Sequence, residues 1–172
     1  MCGITGIFAF NQVGRLNMIN LAKATEAIGS RGPDNQGHFH NDFVGLGHRR
    51  LSIIDTSHEA NQPMKDGSGR FNIIYNGEIY NYKQLRQELE AGGYQFSTSS
   101  DTEVLLNLYI QFGAHCLNKL NGFFSFAIYD NQKNELFIAR DRFGIKPLQY
   151  YQDQDKVLFG SEVKSILAYG IE

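Results

Sequence analysis

Met1-Cys2-Gly3-Ile4-Thr5-Gly6-Ile7-Phe8-Ala9-Phe10 opens the chain. From Ile4 to Phe10 this run is apolar, with Gly6 inside it, and reads as a buried strand that begins almost at the first residue. Chain ends normally fray, so an end locked into a sheet is unusual. It places Cys2 at the edge of a rigid element. Initiator methionines are usually trimmed when the second residue is small, and Cys2 would then carry both a thiol and a free α-amine. That amine has a pKa of about 8 and can act as general base toward its own side chain. A nucleophile on a fixed element suits acyl transfer. A cysteine near a terminus is nevertheless more often inert, and thiol reactivity needs electropositive, accessible surroundings. The weight of Cys2 depends on what the rest of the chain brings to it.

Beyond this run, Leu16, Met18, Ile19, Leu21, Ala22, Thr25 and Ile28 follow a helical period. Arg31-Gly32-Pro33-Asp34-Asn35 breaks it. Residues 43–50 and 70–76 read as strands, separated by a polar surface loop over 55–69. Residues 81–91 form a helix with Tyr82, Leu85 and Leu89 on one stripe, ended by Gly92-Gly93. A second helix spans 101–112 behind Ser100-Asp101-Thr102-Glu103, where a cap residue precedes an acid by three positions. Residues 114–120 suggest a short third helix. Strands 123–129 and 135–139 flank the turn Asp130-Asn131-Gln132-Lys133-Asn134. Tyr150-Tyr151 pairs with 157–159, and 161–169 is a terminal helix. Strands in consecutive pairs and helices in runs indicate an α+β fold with antiparallel sheets and helices stacked outside.

The chain has 172 residues, enough for one domain with a sizeable core, and its 42% hydrophobic content is ordinary. A net charge of −2 gives no reason to expect nucleic acid or an anionic membrane as partner. No apolar run is long enough to span a bilayer, and the first residues lack a basic, then apolar, leader pattern. Two cysteines, Cys2 and Cys116, are too few for a disulfide scaffold and fit a cytoplasmic location.

Three further features bear on chemistry. Tyr75-Asn76-Gly77-Glu78-Ile79-Tyr80-Asn81 lies where a strand breaks toward a helix. There the Asn76 amide and the Gly77 N–H can face one oxygen, as an oxyanion hole requires. Taken alone, Asn-Gly is an ordinary turn. Arg50 suits a bidentate carboxylate contact, and Asp101 suits an ammonium. Their plainer roles are a solvated strand-end charge and a helix cap. His38, His40 and His48 lack a carboxylate or cysteine that would complete a metal site and are expected as polar surface positions. Cys116 is expected as a half-buried hydrophobe, Asp141 and Arg142 as structural pairing, and Phe123, Phe124, Phe126 and Phe159 as core.

Read together, the segments resemble one family. They are Met1-Cys2-Gly3-Ile4, Arg31-Gly32-Pro33-Asp34, His48-Arg49-Arg50-Leu51-Ser52-Ile53-Ile54-Asp55, Gln62-Pro63-Met64, the 75–81 segment, Ser100-Asp101-Thr102-Glu103, Ala139-Arg140-Asp141 with Gly144-Ile145-Lys146-Pro147-Leu148, and Gly160-Ser161-Glu162. In this order they resemble the class II (N-terminal nucleophile) glutamine amidotransferases. The form is nearest the glutaminase domain of glutamine-hydrolysing asparagine synthetases. The resemblance implies an αββα sandwich, two antiparallel sheets between helix layers, across residues 1–172. It implies Cys2 as nucleophile with its own amine as base, and Asn76 and Gly77 as oxyanion donors. Arg50 would hold the carboxylate of L-glutamine, Glu78 and Asp101 its amino group, and the backbone of Leu51, Ser52, Ile53 and Ile54 would line the pocket. It implies no metal or organic cofactor for glutamine hydrolysis. ATP and magnesium would belong to a synthetase domain or subunit that receives the ammonia. The phosphate loop of such a domain does not occur in this stretch.

Two rival readings stand beside this one. The first is a catalytically silent module that binds glutamine or docks within an amidotransferase complex. The second is an N-terminal-nucleophile amidohydrolase with another amide substrate.

Overall fold

The computed structural model describes residues 1–171. Its strands are β1 (Gly3–Ala9), β2 (Asn35–His40), β3 (Val44–Arg50), β4 (Met64–Lys65), β5 (Phe71–Ile79), β6 (Gly122–Asp130), β7 (Glu135–Arg140), β8 (Gln149–Gln152) and β9 (Lys156–Gly160). Its α-helices are α1 (Gln12–Arg15), α2 (Leu21–Ala27), α3 (Tyr82–Ala91), α4 (Asp101–Phe112) and α5 (Val163–Leu167). One sheet has the order β2-β3-β1-β9-β8 and the other β4-β5-β6-β7. All pairings are antiparallel.

The sheets stack face to face and each carries helices on its outer face, which gives the αββα layering. Three hydrophobic clusters mark the three interfaces. Ile4, Val44, Leu46, Ile74, Ala127, Tyr129 and Phe159 fill the space between the sheets. Ile7, Leu21, Ala24, Leu158 and Ile166 join the first sheet to α2 and α5. Ile73, Tyr75, Leu85, Leu89, Leu105 and Phe126 join the second sheet to α3 and α4. Strand alternation explains the division, since neighbouring residues such as Ile73 and Ile74 point to opposite faces. Both faces of β1 and β3 are covered, so each reads as a continuous buried run. Ile4 and Ile7 are fully buried on opposite faces of β1, each contributing about 1.5–3 kcal/mol. That burial, with ladders to β3 and β9 on either side, is what locks the chain start in place.

Several expectations change in detail. The helix expected over 16–28 is broken: a 3₁₀ turn over Leu16–Asn20 separates α1 from α2, and Leu16 and Ile19 face solvent. Their apolar period therefore does not mark a core face. The terminal helix shortens to α5, and 113–119 is 3₁₀. The loop over 55–69 contains β4 and the buried Ala60, Gln62 and Met64. Phe123 is only half-buried, packed edge-on against Tyr80 at the end of β6. Cys116 is fully buried. Asp141 does not pair with Arg142; it gathers the backbone N–H groups of Phe124, Phe143, Ile145 and Lys146. No helix among the described residues is long and apolar enough to cross a membrane.

Candidate functional site

Cys2 sits one residue before β1, and extending the Gly3–Arg49 register by one step sets it opposite Arg50. Its Sγ accepts a hydrogen bond from the Leu51 N–H at 3.4 Å and lies 3.6 Å from the Leu51 carbonyl oxygen. Arg31 donates from Nε to the Cys2 carbonyl at 2.9 Å and pairs through Nη1 with Glu162 at 3.1 Å. The nucleophile candidate is thus held from both sides of its own residue. Burial pushes the Cys2 thiol above its ordinary value, while the Leu51 N–H, the chain-terminal ammonium and the Arg50 guanidinium pull the other way.

One cavity of about 190 Å³ opens at this end of the sandwich. Its lining includes Cys2, Arg50, Leu51, Ile53, Ile54, Asn76, Gly77, Glu78 and Asp101. That volume is below the range of about 300–1,000 Å³ for drug-sized ligands and suits an amino acid. Ser52 stands apart from the lining, its N–H donating to Asp34 Oδ2 at 2.8 Å. Met1 and Lys146 also line the cavity, their Sδ and Nζ 3.3 Å apart.

Asn76 and Gly77 are inside β5 rather than at a strand break. The ladder with β6 continues through Asn76–Ser125 and Gly77–Phe124 to Ile79–Gly122. A Cβ on residue 77 would lie 2.6 Å from the Phe123 carbonyl oxygen and 2.9 Å from the Phe124 Cα, so the close strand approach requires glycine. The Asn76 side-chain nitrogen is buried and has no partner among the described residues. An amide donor left unpaired in a buried site costs stability, and at a cavity wall it is a donor waiting for an acceptor.

Arg50 is buried rather than a solvated strand-end charge. It donates from Nη1 to the Ser57 carbonyl at 2.7 Å and to Asn61 Oδ1 at 2.6 Å, and from Nη2 to the Asp55 carbonyl. These bonds use three of its five N–H donors. They also fold the segment after β3 over the cavity. The Asp55 carboxylate completes that fold by accepting from the Ser99 N–H at 2.9 Å, and the hydrogen bonds from Ser57 and Ser99 hold it well below the usual carboxylate range.

Asp101 opens α4 beside its cap, Ser100, whose hydroxyl accepts from the Glu103 N–H. Its Oδ2 accepts from the Tyr75 hydroxyl at 2.7 Å and from the Ile79 N–H at 3.1 Å. Burial raises its pKa despite these donors. The Tyr75 hydroxyl, desolvated and facing that carboxylate, is pushed well above its ordinary value.

Three neighbouring residues escaped the sequence reading. Gln62 accepts from the Tyr75 N–H at 2.6 Å and donates to Thr102 Oγ1 at 3.2 Å, tying β5 to the first turn of α4. Tyr75 itself anchors Asp101. His48 is fully buried, not a surface position: β3 lies between β1 and β2, and the ring faces the other sheet, with Nε2 3.1 Å from the Tyr75 carbonyl oxygen. Burial holds it neutral, with its pKa lowered to about 3. His38 and His40 are exposed as expected. All three residues stand in segments that carry the resemblance (Gln62-Pro63-Met64, 75–81 and 48–55), but nothing in those segments signals these contacts.

Residues 1–171 match the model of a family described as "Glutamine amidotransferase domain". The chain is 43% identical over 171 residues to asparagine synthetase [glutamine-hydrolyzing] 3 of Bacillus subtilis, covering 98% of this chain and 28% of that protein. It is 46% identical over 169 residues to asparagine synthetase [glutamine-hydrolyzing] 1 of the same organism, covering 97% of this chain and 27% of that protein. It thus spans little more than a quarter of the length of these relatives. Among solved structures, the glutamine phosphoribosylpyrophosphate amidotransferase of B. subtilis superposes with a TM-score of 0.75 at 22% identity, over 98% of this chain and 44% of that one. That likeness is one of fold.

Proposed function

The chain belongs to the glutamine amidotransferase domain family, and from that premise we propose that residues 1–172 form a glutaminase domain that hydrolyses L-glutamine through Cys2. The observation that carries this is the company Cys2 keeps. Its sulfur shares one amino-acid-sized cavity with an unpartnered buried amide nitrogen on Asn76, a guanidinium on Arg50 and a carboxylate on Asp101. A zwitterion with a side-chain amide matches that set. Arg50 keeps two N–H donors for the α-carboxylate. Asp101 and Glu78 face the α-ammonium, and Asn76 with Gly77 meets the amide oxygen as it turns negative.

The chemistry is acyl transfer. Removal of Met1 frees the Cys2 amine, which takes the thiol proton. The thiolate adds to the side-chain carbonyl, the C–N bond breaks, and the proton leaves with ammonia. Water then attacks the glutamyl thioester and releases glutamate, restoring the thiol. No metal or cofactor takes part in these steps. The ammonia goes to an asparagine-synthetase-like amidation, in a domain or subunit that uses ATP and magnesium, in keeping with the names and greater length of the relatives. With Met1 in place, the Cys2 nitrogen is a peptide nitrogen and the cavity can only bind.

Glutamate release should be assayed on material whose N-terminus has been read by mass spectrometry. Turnover by the trimmed chain supports the glutaminase. A trimmed chain that binds glutamine but stays inert, even beside a synthetase partner, is instead a silent binding module.

A further inference from the structure

We infer that His48 is a positioning residue: it holds the Tyr75 carbonyl across the gap between the sheets and thereby sets the Asn76 amide at its working distance from Cys2. This rests on the glutaminase reading above and adds a residue to it.

Cys2 and Asn76 belong to different sheets, so their separation is a property of how the sheets stack. His48 is rooted on β3, which pairs directly with the nucleophile's strand, Ile4 standing opposite His48. Its ring crosses to β5 and donates from Nε2 to the carbonyl of Tyr75, the residue before Asn76. That carbonyl needs a partner. The edge strand β4 has only two residues, opposite Ile73 and Asn72, so at Tyr75 the neighbouring strand is gone. Two side chains replace it: Gln62 Oε1 takes the Tyr75 N–H, and His48 takes the carbonyl. The Tyr75 hydroxyl is held in turn by Asp101. Every polar atom of the residue preceding Asn76 is therefore clamped by a different segment.

The imidazole is an odd choice for packing alone. The ring is completely buried, and because Nε2 carries the proton facing a carbonyl, Nδ1 is a bare acceptor with no partner among the described residues. A leucine of similar bulk would leave no such orphan. What leucine lacks is the donor that reaches the opposite sheet.

The test compares His48→Gln, His48→Asn and His48→Leu in the trimmed chain. Glutamine can place a donor where Nε2 stands; asparagine is too short, and leucine has none. We expect kcat for glutamine hydrolysis to fall about 10- to 100-fold in the Asn and Leu variants, as for a misplaced catalytic group. KM should stay within about twofold, and the Gln variant should return to within about threefold of wild type. Iodoacetamide alkylation of Cys2, which needs no oxyanion donor, should proceed at the wild-type rate in all three. Equal kcat in the Asn variant and wild type overturns the inference. So does an equal loss in Asn and Gln, or a loss confined to KM. If leucine fails to fold, the Asn–Gln comparison decides alone. An inactive wild-type chain defeats the glutaminase reading first and the inference with it.

Discussion

His48 makes acid stability a direct test of the stacking between the sheets. Its pKa is lowered from 6.5 to about 3, first because burial removes it from water, with Arg50 adding repulsion and the Tyr75 carbonyl opposing. A depressed pKa means that the unfolded chain binds this proton before the folded one does. The resulting stability is complete above pH 6.5 and is lost as pH falls toward 3. One pKa unit corresponds to about 1.4 kcal/mol, so acidification from pH 6 to pH 4 costs about 2.5 kcal/mol through this one ring. For a chain of this length that corresponds to a drop in Tm of about 5–10 °C. The assay is Tm against pH for wild type and His48→Gln, which cannot take up the proton. Asp130 and Asp153, both held near 2, lose stability only at lower pH, and Asp101, raised by burial, acts in the opposite sense. All three are present in both proteins and cancel in the difference. The wild type should therefore lose about 5–10 °C more than the variant over this interval. Parallel curves would refute both the burial of the ring and its neutral state.

Other substitutions separate binding from chemistry. Asn76→Ala should lower kcat by about two to three orders of magnitude with little change in KM, read from steady-state glutaminase kinetics. An effect on KM alone would make Asn76 a binding residue. Asp101→Asn keeps an acceptor for the Tyr75 hydroxyl but removes the charge, so the glutamine KM should rise strongly while the fold survives; unchanged kinetics would take Asp101 out of the pocket. Gly77→Ala drives a Cβ to 2.6 Å from the Phe123 carbonyl. It should cost about 1–3 kcal/mol in denaturant unfolding, whatever its effect on activity.

The layering could be read from local pattern because each interface draws on residues of one strand face or one helix stripe. Leu85 and Leu89 on α3, and the buried run from Ile4 on β1, needed no tertiary knowledge. The helix expected over 16–28 holds only over Leu21–Ala27, and its first part is lost for the converse reason: Leu16 and Ile19 keep the period but meet no opposing layer. At the candidate site, Cys2, Arg50, Asn76 and Asp101 could be named since each carries a group suited to one part of the proposed substrate, L-glutamine. Their supports could not. Gln62 replaces a missing strand and His48 bridges two sheets, roles set by where β4 ends and how the sheets stack. Neither leaves a periodic trace. The strand passing through Asn76-Gly77 was hidden as well, because Asn-Gly signals a turn and only the β6 backbone beneath it shows why glycine is there.

The proposed hydrolysis turns on one bond, between the Cys2 sulfur and the glutamyl carbonyl. Trimmed protein should be mixed with glutamine, quenched in acid within the turnover time and weighed intact, then mapped by peptide mass. A fraction of the chain should be heavier by one glutamyl group, the added mass residing on the N-terminal peptide and absent from Cys2→Ala. Turnover with no adduct on that peptide, or continued turnover in Cys2→Ala, would contradict it.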